Sequence, residues 1–178
     1  MDRTGKRFFF MDQDNTLPDS IHLRDFDING KRHLFTLADA ERINDITPLY
    51  LDSTKGECAP DFIKSPVYMV SEMAKEVIDM YEDNLVFKKI VLIDKDEERQ
   101  LTYYHLLLPA IEALDASTLY YPNKTEKKTV LSAEKIGSHK VFLMADSLKQ
   151  LPVVSQDVVE SLLRRHVTGV KFTEIEVE

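Results

Sequence analysis

The sequence has one cysteine, few glycines and no long apolar segment. Because Cys58 is alone, no disulfide can form within the chain, as is usual for a protein of a reducing compartment. Five glycines leave few positions for a phosphate-binding loop, and the GxSxG nucleophile motif does not occur. The apolar run Phe8–Met11 is too short for a signal peptide or a membrane span. We therefore expect a cytoplasmic protein with no membrane partner.

Acidic residues outnumber basic ones. The chain has 31 Asp and Glu against 23 Lys and Arg, which gives a net charge of −8. Such a surface repels nucleic acid and anionic membranes and favours a basic protein partner, although acidity also serves solubility alone. At 178 residues we expect one domain over 1–178, with N-terminal strands and a hairpin in 1–60 and the main core in 61–178.

Two segments of the chain have similar patterns. Residues 66–93 and residues 151–178 each contain a short apolar strand, a serine, about three amphipathic helical turns and a second strand with Phe-x-x-Ile. Ser71 and Ser155 are suitable helix N-caps, and Gly169 is suitable for a left-handed helix end. We therefore predict an α+β fold with a mixed, largely antiparallel sheet, two or three helices and an internal duplication of this strand–helix–strand unit.

Other elements follow from turn signals and periodicity. Asn29-Gly30 predicts a hairpin. Residues 38–47 could form a short helix. Residues 86–93 and 100–108 are strand-like, and the charged sequence 94–99 between them predicts a second hairpin. Residues 122–129 are polar and predict an exposed loop.

The strongest enzymatic signal is the sequence from Phe8 to Leu17. An apolar strand followed by D-x-D-x-T-L resembles the start of haloacid-dehalogenase-type phosphatases. In these enzymes the first Asp is the nucleophile and the second a general acid or base, and both lie near Mg²⁺. Asp12 and Asp14 would take these roles, but a parallel sheet should then follow. Two Asp residues in a turn are also explained by Asx turns that end a strand.

Metal-binding patterns fail on spacing. Calcium loops that begin at Asp12 or Asp94 lack the glycine at the sixth position and the glutamate at the twelfth. No two of the five histidines lie three or four residues apart. We therefore predict no catalytic residue, no metal and no cofactor.

Two tyrosine pairs, Tyr103-Tyr104 and Tyr120-Tyr121, fall in strand-like or neighbouring sequence. In a strand, one member of each pair would face the core and the other the surface, where a tyrosine can anchor an interface. Core or rim packing is an equally good explanation.

Several short motifs occur together in this chain. They are Gln13-Asp14 before Pro18, Val70-Ser71, Leu151-Pro152-Val153-Val154-Ser155, and Thr168-Gly169-Val170-Lys171-Phe172-Thr173-Glu174-Ile175. In combination they resemble immunity protein family eleven of the bacterial polymorphic-toxin systems, or a neighbouring immunity family. The resemblance covers nearly the whole chain and is best over 65–178. It implies a protein that binds a cognate toxin domain encoded by a neighbouring gene, and it transfers no catalytic residue.

Three functions remain open at this point: a stoichiometric toxin inhibitor, a Mg²⁺-dependent phosphatase, and an adaptor without a toxin partner. For the inhibitor, charge density near strand ends predicts the partner-binding residues. These are Asp94, Asp96, Glu97, Glu98, Asp12 and Asp14.

Overall fold

A computed structural model describes residues 5–24, 34–83 and 85–178. The hairpin predicted at Asn29-Gly30 lies outside these residues. The helices are a 3-10 helix (Leu37–Arg42), α1 (Glu72–Asp79), α2 (Ala133–Ile136) and α3 (Gln156–Arg164). The strands are β1 (Phe8–Gln13), β2 (Ile46–Tyr50), β3 (Phe62–Ile63), β4 (Met69–Val70), β5 (Val86–Asp94), β6 (Arg99–Leu107), β7 (Ala110–Ile111), β8 (Leu119–Tyr120), β9 (Glu126–Lys128), β10 (Val130–Leu131), β11 (Val141–Met144), β12 (Val153–Ser155) and β13 (Val170–Val177).

The α+β prediction is wrong, because the described chain is mostly β. Its 13 strands form three sheets, and its four helices are short. A six-stranded sheet has the order β10-β13-β1-β12-β11-β7, a five-stranded sheet has the order β2-β5-β6-β4-β3, and β8 pairs only with β9. Many strands have two to four residues, too few for alternation to reveal them in the sequence.

The predicted duplication is also wrong as an account of the fold. The two similar segments lie in different sheets. In the first, β4 and β5 flank β6, which follows them in the chain. In the second, β12 and β13 flank β1, which comes from the N-terminal region. The similar sequences thus form similar local elements. Their central partner strand lies later in the chain for the first segment and earlier in the chain for the second.

Helix ends follow the capping signals in part. The hydroxyl of Ser71 accepts a hydrogen bond from the backbone N–H of Ala74 at 3.2 Å, as an N-cap should. Ser155 occupies the same position before α3, but its side chain makes no cap hydrogen bond. The left-handed residue just after α3 is His166, with φ of +57°. Gly169 also has positive φ, but its role is close approach, since a Cβ there would lie 2.3 Å from the Cβ of Pro60.

The main core lies where the two large sheets and two helices meet. α1 and α3 pack together, and their buried side chains join residues of both sheets in one cluster. A second cluster covers the other face of the six-stranded sheet, and a third covers the other face of the five-stranded sheet. In the third, Ile90, Leu92 and Tyr103 are almost fully buried. Their face of β5 and β6 is therefore closed.

The opposite face of β5 and β6 is only partly covered. Phe87, Leu106 and Tyr104 on this face pack in the cluster that contains α1. Nine-residue strands are roughly 30 Å long, whereas the eight residues of α1 span roughly 12 Å. The strands consequently extend beyond the helix toward the turn at 95–98, and among the described residues this end of the face is open, with side chains that are half-buried or exposed.

Candidate partner-binding surface

The turn between β5 and β6, residues 95–98, is organised by a buried carboxylate. Asp94 is only 2% exposed, and its Oδ1 accepts hydrogen bonds from Ser53 Oγ at 2.5 Å and from the backbone N–H groups of Asp96 and Glu97 at 3.2 and 3.1 Å. The Ser53 hydroxyl is the main cause that holds the pKa of Asp94 below its usual value, against the effect of burial. Asp94 therefore fixes the turn and presents no free carboxylate.

The next three acidic residues point outward. We call Asp96, Glu97 and Glu98 the acidic turn; all three are exposed. Asp96 lies 3.5 Å from the guanidinium of Arg24, a weak surface ion pair. In the part of the chain that the structure describes, Glu97 and Glu98 form no ion pair. Two carboxylates are thus available to a partner on a turn whose backbone is already fixed.

Beside the acidic turn lies the open end of the five-stranded sheet. The register pairs Tyr50 with Ile93 and Pro48 with Val91, so these four side chains share one face. Pro48 and Tyr50 are exposed and the other two are half-buried. None belongs to a core cluster of the described residues. Charge density identified the acidic turn but not this apolar surface, which depends on the parallel pairing of β2 with β5.

The other predicted acidic residues, Asp12 and Asp14, already bond to neighbouring groups within the chain. Asp12 forms an ion pair with Lys64 at 2.7 Å, where both side chains are half-buried. Asp14 Oδ1 accepts hydrogen bonds from Thr16 Oγ1 at 2.7 Å and Thr16 N–H at 2.9 Å, which forms an Asx turn. These bonds lower the pKa of Asp14, the hydroxyl contact being the largest cause. The structure does not bring these residues together with the acidic turn in any contact that it describes.

The same region bears on the phosphatase interpretation. That interpretation requires Asp12 at the end of a strand in a parallel sheet. Here β1 is antiparallel to both of its neighbours, β12 and β13. Among the described strands, β1 therefore does not have the parallel neighbours that this enzyme class requires. A cavity of about 680 Å³ adjoins the turn after β1, and its lining includes Asp14, Asp19, His22, Lys55 and Lys64.

Among the described residues, no group of three or more His, Cys, Asp and Glu side chains is placed to hold a metal ion. No described helix has both the length and the apolar character that a membrane crossing demands.

Comparisons with known proteins identify the family. No curated protein matches the sequence. The immunity protein family (Imm11) matches residues 38–177, which is most of the chain and includes the open sheet end and the acidic turn. The chain therefore belongs to the immunity protein family Imm11.

Proposed function

We propose that this protein binds a cognate bacterial toxin domain and neutralises it as a stoichiometric inhibitor in the cytoplasm. The observation that carries the proposal is the family match over residues 38–177. The fold is consistent with such a role, since the described chain offers fixed turns and open sheet surface for protein contacts. Inhibition in this proposal requires no bond to be made or broken.

The acidic turn and the open sheet end are the proposed contact surface. Exposed carboxylates beside apolar side chains suit a partner with Lys and Arg around an apolar patch. Asp94 contributes indirectly, because it fixes the backbone that carries Asp96 and Glu97. Asp12 and Asp14 stay predicted contacts. We rank them below the acidic turn as contact residues, because their carboxylates already bond to Lys64 and Thr16 within the chain.

Co-expression tests the proposal. The adjacent gene should encode a secreted protein with a variable C-terminal domain, and expression of that domain should be toxic. Co-expression of the present chain should restore growth, and the two proteins should purify together in a fixed ratio. If the wild-type chain neither binds the domain nor restores growth, the proposal is wrong, and the adaptor hypothesis takes its place.

Titration separates inhibition from catalysis. When the chain is added to the purified toxin domain, residual toxin activity should fall linearly and end at a fixed molar ratio. Full inactivation at a small fraction of that ratio would show turnover instead. A phosphate-release assay with Mg²⁺, on wild type and Asp12→Asn, checks the phosphatase alternative, and equal background in both is expected.

A further inference from the structure

The β8–β9 hairpin, residues 118–129, projects from a fixed base. Buried Glu126 accepts hydrogen bonds from Ser147 Oγ at 2.5 Å, Leu148 N–H at 3.1 Å and Thr129 Oγ1 at 2.7 Å. Buried Thr118 exchanges hydrogen bonds with the backbone of Val130 at 3.0 and 3.1 Å. Both ends of the hairpin are therefore tied to the body of the protein. Within the exposed loop that the sequence predicted over 122–129, Glu126 and Thr129 are buried and the other residues are exposed.

The tip of the hairpin is also ordered. Tyr121 N–H donates to Thr125 O at 2.8 Å, and Lys124 N–H donates back to Tyr121 O at 2.9 Å. The side chain of Asn123 accepts from Thr125 N–H at 3.1 Å and Thr125 Oγ1 at 2.6 Å. A tip that is fixed in this way loses little conformational entropy when it binds.

Large apolar and aromatic side chains of the hairpin and its base are exposed instead of buried in a core. Leu119, Tyr120 and Tyr121 are 52%, 53% and 50% exposed, and Leu148 beside the base is 70% exposed. Leu119 and Tyr120 are consecutive strand residues that pair with Lys128 and Glu126, and the register of the two strands shifts between these pairs. Half of the large hydrophobic side chains that are exposed in the described chain are in this one place. Clustered exposure of this kind marks an interaction site, and tyrosine is a common anchor in such sites.

The charge of the hairpin is opposite to that of the protein. Lys124 and Lys127 are exposed at the tip, and Lys127 lies over the ring of Tyr121 at 6.0 Å. Lys128 is occupied by an ion pair with Glu176 at 2.6 Å. The only acidic residue between 118 and 129, Glu126, is buried. The hairpin thus presents basic groups around an aromatic tip on a chain of net charge −8.

We propose that this hairpin inserts into a concave apolar site with acidic groups at its rim on the toxin domain. A two-stranded hairpin with exposed leucine and tyrosine side chains fits a cleft better than a flat surface, and active sites are concave and mostly apolar. The lysines match a rim of carboxylates. The inference rests on the proposed function, and it adds a second contact of opposite charge to the acidic turn.

A matched pair of substitutions tests the inference. Leu119→Gln changes the hairpin, whereas Leu163→Gln changes a leucine on α3 with nearly the same exposure, 54%. We expect Leu119→Gln combined with Tyr120→Ser to weaken toxin binding at least roughly tenfold through faster dissociation, and to reduce inhibition in parallel. Leu163→Gln should leave both unchanged. Thermal unfolding of each variant, expected to match wild type, checks that folding is retained.

The outcomes separate this inference from the proposed function. If wild type binds and inhibits the toxin domain and the double variant does so equally well, the hairpin inference is wrong and the proposed function stands. If wild type does not bind, the proposed function itself fails. Lys124→Glu with Lys127→Glu gives a second check, since charge reversal should slow association severalfold and leave folding intact.

Two other occupants are distinguished by the same variants. If the double variant converts a dimer of the free protein to a monomer in light scattering, the hairpin binds a second copy of the chain. If it abolishes binding to phosphatidylglycerol vesicles, the hairpin binds membranes. Either result would overturn the assignment to the toxin.

Discussion

The β5–β6 hairpin and the β8–β9 hairpin both reach the surface, but they are supported differently. β5 and β6 have nine residues each, lie inside a five-stranded sheet and are closed on one face by buried side chains. β8 and β9 have two and three residues, pair with no other described strand and depend on polar contacts at their base. The first ends in free carboxylates and the second in uncovered tyrosines and lysines.

This difference separates two contributions to binding. Exposed charges steer association and are screened by salt, whereas desolvated aromatic and apolar anchors mainly slow dissociation. We therefore expect the exposed charges, those of the acidic turn and of Lys124 and Lys127, to set the association rate, and the apolar and tyrosine side chains of the β8–β9 hairpin to set the lifetime of the complex. Substitutions that weaken one hairpin or the other test this division of roles.

The largest effect should come from the closed face beneath the acidic turn. Leu92 is fully buried on β5, and Leu92→Ala should lower the free energy of unfolding by about 2–5 kcal/mol because it leaves a cavity. Val91→Ala, one residue away on the open face, should cost under about 1 kcal/mol. Denaturant unfolding measures both. Equal losses would show that the two faces of the sheet are not as different as their burial indicates.

The sequence predicted the elements with strong local signals. The charged tip at 94–99, its flanking strands and the helix that begins after Ser71 are where periodicity and capping placed them. The 38–47 helix was too long, since a 3-10 helix ends at Arg42 and β2 begins at Ile46. The three-sheet arrangement was missed because pairings such as β1 with β13 join residues far apart in the chain.

The candidate site, too, could be predicted from the sequence only in part. Charge is visible in a sequence, and it led to the prediction of Asp96, Glu97 and Glu98, which the structure shows to be exposed. Whether a carboxylate is free depends on its neighbours. Asp94 accepts a bond from Ser53, 41 residues earlier, which no local pattern shows. In a strand, one tyrosine of each pair should face the core. Tyr103 is buried and Tyr104 is half-buried, but Tyr120 and Tyr121 are both about half exposed, because β8 and β9 lie outside the two large sheets.

A fall in pH should lower the free energy of unfolding of the protein through His105, which lies on β6. Its ring is buried beside Phe35, with ring centroids 5.7 Å apart, and burial lowers its pKa from 6.5 to about 4. Above pH 6.5 the histidine is neutral in both states. As pH falls from 6.5 to 4 only the unfolded chain takes up the proton, so the free energy of unfolding should fall by up to about 3 kcal/mol.

Unfolding of wild type and His105→Leu between pH 7 and pH 4 measures this contribution. The variant should lose the part of the decline that begins near pH 6.5. A wild-type curve that is flat between pH 6.5 and 5 would mean that the folded histidine accepts a proton as easily as the unfolded one.

Removal of the base contacts should release the β8–β9 hairpin selectively. Glu126→Ala leaves Ser147 Oγ, Thr129 Oγ1 and the N–H of Leu148 without their acceptor, at a cost of about 2 kcal/mol. Hydrogen exchange should become faster within 118–129 and stay unchanged in β5 and β6. Toxin binding should also weaken, because the released hairpin must become ordered again when it binds and loses conformational entropy. Glu134→Ala, an exposed glutamate on α2, is the control, and a uniform change over the whole chain would contradict local release.

The smallest effect should follow neutralisation of the acidic turn. Asp96→Asn, Glu97→Gln and Glu98→Gln together remove three surface charges and leave Asp94, which fixes the turn, in place. Association with the toxin domain should slow severalfold at low salt, about 1 kcal/mol in binding free energy, and its salt dependence should become weaker. Dissociation should be nearly unchanged, which is the reverse of the result expected for Leu119→Gln with Tyr120→Ser. Stopped-flow mixing at two salt concentrations resolves the two rates, and an association rate equal to that of wild type would remove the acidic turn from the interface.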